Sequence, residues 1–86
     1  INQLVLKDDN IVVFPNPCQG IFNIINTNFE IEAIELYDVS GRMVKQIYPS
    51  NELIYSVNIE ELTPGIYFGK AKTKNGYGHF KIIKKS

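Results

Sequence analysis

The single cysteine and single histidine of this 86-residue chain, Cys18 and His79, are the first residues to weigh as chemistry. A thiol acts as a nucleophile and an imidazole as its base when a third group orients the imidazole and backbone donors frame the oxyanion. Neither condition is met. No glycine-rich loop surrounds Cys18, and His79 stands beside Phe80 in an apolar, strand-like run. His79 is therefore expected as a surface strand residue and Cys18 as a partly buried small apolar one. One cysteine cannot form an internal disulfide, and no CxxC or Cys/His spacing is present to hold a metal. Asp8-Asp9-Asn10 sets three oxygen-bearing side chains in a row, but a calcium loop places its oxygens at alternating positions around a glycine turn, and no such continuation follows. The expectation is a non-enzymatic chain without catalytic residues, metal or cofactor.

A second pattern is basic. Lys70, Lys72 and Lys74 alternate along one run, and Lys81, Lys84 and Lys85 lie on or beside the next. The Lys74-Asn75-Gly76 turn between them carries the Asn-Gly signature of a two-residue hairpin, so the runs should pair and their lysines form a ladder. Phe68 shares the parity of Lys70, as an aromatic in a nucleic-acid groove would. Zero net charge argues against a dedicated nucleic-acid module, so no nucleic-acid partner is expected. The charge is uneven nonetheless. Residues 1–41 hold Lys7 against six acidic residues, whereas residues 42–86 hold eight basic residues against three acidic ones. Mixed surfaces are the norm, so an acidic strand beside a basic one is favoured over a basic docking face.

These residues sit on short, regularly punctuated elements. Ile11–Phe14 is stopped by Pro15-Asn16-Pro17, because proline cannot donate to a ladder. Gly20 releases Ile21–Ile25, and Asn26-Thr27-Asn28 marks a loop. Ile31–Tyr37 follows, then the Asp38-Val39-Ser40-Gly41 turn, with Asp at the first position and Gly supplying φ > 0. Met43–Tyr48 returns antiparallel, and Pro49-Ser50-Asn51 closes it. Tyr55–Ile59, Gly65–Thr73 and Tyr77–Ile83 complete the set. About seven strands at roughly ten-residue spacing indicate an all-β fold, an immunoglobulin-like antiparallel β-sandwich in architecture. No segment holds a helical period, and no apolar run approaches the ~20 residues of a membrane-spanning helix.

Parity within each run places Val13, Phe22, Ile24, Ile34, Leu36 and Val57 in the core, with Ile59, Leu62, Tyr67, Ala71, Phe80 and Ile82. Tyr67 is expected to bury its ring with its hydroxyl reaching outward. The chain begins at Ile1, which suggests a piece of a longer precursor. Residues 1–10 read as a linker or a short edge strand (Leu4-Val5-Leu6) from a preceding domain, and residues 11–86 as one domain.

Four blocks of this order resemble the C-terminal sorting domain of proteins exported by the Bacteroidetes type IX secretion system. Phe14-Pro15-Asn16-Pro17 with Phe22-Asn23-Ile24 resembles its opening motif, and Ile34 to Val44 its central strand–turn–strand. Ile59 to Phe68 resembles the leucine–glycine–tyrosine block, and Lys81-Ile82-Ile83-Lys84-Lys85 the lysine-bracketed last strand. The motif positions are Pro15, Asn16, Pro17, Asp38, Gly41, Arg42, Leu62, Gly65 and Tyr67. Gly69 departs from the family, which has an aliphatic residue there, and is expected to thin that strand or mark a bulge.

The resemblance implies a sorting signal on the end of a fused cargo, recognised by an outer-membrane translocon. Cleavage by a surface sortase and attachment of the cargo to the cell surface follow in such proteins. It also implies export through the periplasm to the surface or medium, without membrane insertion of the domain. Recognition is expected at Lys81, Ile82, Ile83, Lys84 and Lys85, where lysines keep the strand tip solvated. Open edge strands leave room for a weak homodimer. The competing reading is a carbohydrate-binding or adhesive accessory module, with Tyr37, Tyr48, Tyr55, Tyr67 and Tyr77 as candidates for an aromatic platform.

Overall fold

The computed structural model describes residues 11–26, 30–74 and 76–86. The strands are β1 (Val12–Phe14), β2 (Ile21–Ile25), β3 (Ala33–Tyr37), β4 (Met43–Ile47), β5 (Ile54–Asn58), β6 (Gly65–Thr73) and β7 (Gly76–Lys84). They form a three-stranded sheet in the order β1-β2-β5 and a four-stranded sheet in the order β4-β3-β6-β7, with every neighbour antiparallel. The chain crosses between sheets after β2, β4 and β5. This is the expected immunoglobulin-like sandwich, and among the described residues it contains no helix. Leu4–Leu6, Asp8, Asp9 and Asn75 lie outside the described residues, as does most of the Asn26–Asn28 loop.

Alternation explains the core. Phe22 and Ile24 face inward from one sheet with Val57 and Ile59, and meet Ile34, Leu36, Tyr67, Ala71 and Ile82 from the other. Val13, Leu62 and Phe80, expected inside, are partly buried and pack against that cluster. Cys18 is fully buried rather than partly so. Ile31 is buried but precedes β3, because its backbone N–H donates to the Asn26 side chain at 2.9 Å instead of to a neighbouring strand.

Gly69 neither thins β6 nor marks a bulge. Its register with Phe80 is continuous with the rest of the β6–β7 ladder, and the Phe80 ring covers it so closely that a Cβ there would lie 2.1 Å from Cζ. Phe80 then stacks at a tilt on Phe22, with 5.9 Å between ring centroids. The missing side chain on β6 is replaced by an aromatic one from β7. The irregularity in this sheet lies instead between β3 and β4, where the register shifts at Leu36/Tyr37.

Tyr67 sits near the start of β6 with its ring in the core, and its hydroxyl is directed to the turn before the strand. It donates to the carbonyl of Thr63, four residues upstream. This tyrosine corner is a feature of immunoglobulin-like sandwiches and fixes the β5–β6 crossover against the strand it leads into. The acidic strand does lie beside a basic one: Glu35 of β3 is registered opposite Lys70 of β6.

Candidate functional site

The four motif blocks, dispersed along the chain, come together at one end of the sandwich. β3 ends at Tyr37, registered with Phe68 near the start of β6, and β7 ends at Lys84, opposite Gly65. In the other sheet β5 ends at Asn58, opposite Ile21 at the start of β2. The Pro15–Pro17 segment, the Asp38–Arg42 turn, the Glu60–Pro64 turn and the C-terminal residues are therefore neighbours.

The Asp38 turn is organised by one carboxylate. Asp38 Oδ1 accepts from the Ser40 backbone N–H at 2.9 Å, the Ser40 hydroxyl at 2.7 Å and the Arg42 N–H at 3.1 Å. Gly41, at φ +89°, donates its N–H to the Asp38 carbonyl at 2.9 Å, as its expected positive-φ role requires. The Ser40 hydroxyl bond, joined by the two backbone donors and the Arg42 charge, holds the Asp38 carboxyl below its ordinary range. Arg42 itself points into solvent, with its Nε 3.5 Å from Asp38 Oδ2. Val39 is 74% exposed at the tip. Between this turn and Thr63–Tyr67 lies a cleft of about 450 Å³.

The Pro-Asn-Pro segment does more than end β1. Both its proline peptide bonds are cis, and the segment lies along the outer edge of β7. Asn16 Nδ2 donates to the Lys81 carbonyl at 2.8 Å, and Asn16 Oδ1 accepts from the Ile83 N–H at 3.0 Å. Cys18 continues the ladder in parallel: its N–H donates to the Ile83 carbonyl at 2.8 Å, and its carbonyl accepts from the Lys85 N–H at 2.7 Å. The outward-facing backbone groups from the Lys81 carbonyl to the Lys85 N–H are thus paired, and this stretch of an edge that would otherwise be open is closed.

The C-terminal segment splits by parity. Lys81 and Lys85 are exposed, Ile83 is partly exposed, and Ile82 is fully buried. Lys84 shares the inward parity of Ile82 and is only 9% exposed, which corrects the expectation of a solvated lysine at the tip. It also removes Lys84 from the basic ladder, because Lys81 faces the opposite side. An inward lysine is tolerable where an acid stands near. Lys45 Nζ lies 2.8 Å from Glu61 Oε2 and holds that carboxyl below its usual range, and the charge of Lys84 acts on it in the same direction.

The remaining candidates do not form a second site. Cys18 lies inside the sandwich, whereas His79 is exposed on the outer face of the four-stranded sheet, registered with Lys70. They do not form a nucleophile–base pair. The tyrosines do not form one platform either: Tyr67 is buried, Tyr55 packs on the core and Tyr48 is exposed. Tyr37 and Tyr77 flank Lys70, whose Nζ is 5.9 Å and 4.7 Å from their ring centroids. The Tyr37 hydroxyl donates to Glu35 at 2.7 Å, and this bond raises its pKa above the ordinary tyrosine value. Sequence reasoning missed Asn16 and Cys18 as partners of β7. No local pattern reports a bond across 67 residues. The inward Lys84 was legible, two residues after the core position Ile82.

No curated protein matches the chain. The family model described as the secretion system C-terminal sorting domain matches residues 12–85, from the first residue of β1 past the end of β7. The match takes in all four motif blocks and the Asn16–Ile83 and Cys18–Ile83 pairings that join the first block to the last. The chain belongs to this family, the sorting domains of type IX secretion, and its role is that of a sorting signal.

Proposed function

We propose that the domain carries an N-terminally attached cargo protein across the outer membrane, and that the type IX translocon reads the Lys81–Lys85 segment on the folded sandwich. A surface sortase then removes the domain and attaches the cargo to the cell surface. The domain performs no catalysis of its own. Within the segment, Ile82 and Lys84 anchor the strand from inside, while Lys81, Ile83 and Lys85 meet the translocon.

The observation that carries this reading is the pairing of the Pro15–Cys18 segment with Lys81–Lys85. It holds the C-terminal segment in one conformation, and a preorganised segment binds without an ordering cost. Ile11, on the cargo side of β1, packs over Gly78 near the start of β7, towards the other end of the sandwich. Cargo and recognition segment are therefore kept apart. Any homodimer is left with the edges of β1, β4 and β5 and the first half of that of β7, because Asn16 and Cys18 occupy β7 only at its C-terminal end.

The test is a periplasmic reporter with and without residues 11–86 at its C-terminus, expressed in a type IX-competent cell. The fusion is expected at the surface or in the medium, and the reporter alone in the periplasm. Equal delivery of the two would exclude the proposal.

A further inference from the structure

We infer that the outer face of the four-stranded sheet docks a protein segment carrying apolar side chains among carboxylates; this rests on the sorting reading and extends its surface beyond the last strand. Cross-strand register builds the face. Tyr37 of β3 lies between Met43 of β4 and Phe68 of β6, and Lys81 of β7 ends the row. Ile66 and Ile83 pair two residues further towards the motif end. Phe68, Met43 and Ile66 are 47%, 43% and 41% exposed. A solvent-facing sheet surface ordinarily alternates to polar residues, as the neighbouring row Gln46–Glu35–Lys70–His79 does, so an apolar row across three strands at its motif end marks an interaction site.

The rim is cationic. Lys81 closes the row beside Phe68, Lys72 is registered opposite Tyr77, and Lys70 lies between the Tyr37 and Tyr77 rings. Among the described strand residues of this face the one carboxylate is Glu35, already bonded to the Tyr37 hydroxyl. The rim calls for carboxylates on the partner, and the centre calls for apolar side chains beside them. A polypeptide supplies both. A polyanionic glycan or nucleic acid supplies the charge and leaves Ile66 and Met43 without complementary contacts. The other sheet also exposes apolar residues, at Val12, Ile21 and Ile54, but its outer face carries no charged strand residue and so specifies no partner. Lys81 and Ile83 belong both to this face and to the C-terminal segment, which makes the two surfaces continuous.

The experiment uses the reporter fusion with Phe68→Ser or, separately, Lys72→Glu, and Val12→Ser on the opposite sheet as the comparison. Lys72→Glu changes only an exposed charge, so it decides the matter should Phe68→Ser unfold. Surface delivery is expected to fall about tenfold for both variants, as loss of one central contact gives, with Val12→Ser at the parental level. Parental delivery by Lys72→Glu and by folded Phe68→Ser would overturn the inference. Binding of the purified fusion to outer-membrane vesicles settles the class of partner. Loss of binding after protease treatment of the vesicles supports a protein, and binding that survives protease assigns the face to glycan or lipid and overturns the inference. A reporter lacking the domain that still reached the surface would sink the sorting reading instead, so the two failures are distinguishable.

Discussion

The side-chain amide of Asn16 stands in for a strand residue against Ile83. Its Oδ1 accepts the Ile83 N–H at 3.0 Å while its Nδ2 donates to the Lys81 carbonyl at 2.8 Å, the two bonds that a neighbouring backbone would make. Replacing it should act on the far end of the chain. Asn16→Ala removes both bonds and should cost about 1–3 kcal/mol, two hydrogen bonds at their usual net worth. The Ile83 amide should exchange much faster in the variant. Asn16→Asp keeps the acceptor and loses the donor, so it should fall between. Unchanged Ile83 protection in Asn16→Ala would show that the clamp contributes nothing.

Gly69 and Phe80 form a complementary pair, and the space is already full. Gly69→Ala places a methyl group 2.1 Å from the Phe80 ring and should destabilise by about 1–3 kcal/mol, the usual cost of overpacking. Phe80→Leu added to Gly69→Ala should recover part of that loss, because a smaller side chain leaves room for the methyl group. Urea midpoints of the two single variants and the double variant measure the coupling. Simple additivity would contradict the pairing.

Much of this architecture is legible in the order of residues, for a physical reason. The β-branched and aromatic runs between proline and glycine turns have one way to alternate, so strand number, inward faces and the Asp38–Gly41 turn follow from local chemistry. What depends on cross-chain geometry does not follow. Gly69 looks like a weak point until β7 places Phe80 over it. Asn16 looks like a turn residue until the crossovers bring it beside Ile83. Lys84 was readable from its parity with Ile82, but lysine is so rarely an inward residue that composition outweighed pattern. The four motif blocks are each visible alone, and their convergence appears only when the sheets are assembled.

Gly41 adopts φ +89° with open space where a Cβ would go, so strain rather than collision decides its substitution. Gly41→Val should cost about 1–3 kcal/mol from the backbone alone. Gly41→Asn should cost less, since asparagine tolerates positive φ better. Equal thermal midpoints for the two variants would argue against a conformational origin.

The Asp38 turn makes stability depend on pH. The Ser40 hydroxyl, the backbone N–H groups of Arg42 and Ser40 and the Arg42 charge favour the carboxylate, so its folded pKa lies below the unfolded value of about 4. A depressed carboxyl stabilises the fold above the unfolded pKa, and that contribution is lost as pH falls through the folded one. Asp38→Asn should therefore melt below the parent at pH 7, and the part of the gap that comes from the charge should close as the solution is acidified. Glu61, held down by Lys45, has the same sign. A gap that stayed constant from pH 7 to about pH 2 would remove the carboxylate from the explanation.

The measurement that bears most directly on the central claim is surface delivery of the reporter fusion carrying Lys81→Glu together with Lys85→Glu. Both side chains are exposed, so the pair should shift stability by no more than about 1 kcal/mol, each within the usual range for surface substitutions. Lys84 is left intact because it faces inward beside Glu61. The expected result is a folded domain whose thermal midpoint moves by no more than about 8 °C, as that allowance permits, and a reporter retained in the periplasm. A folded double variant delivered to the surface at the parental level would contradict recognition at the exposed lysines of the last strand.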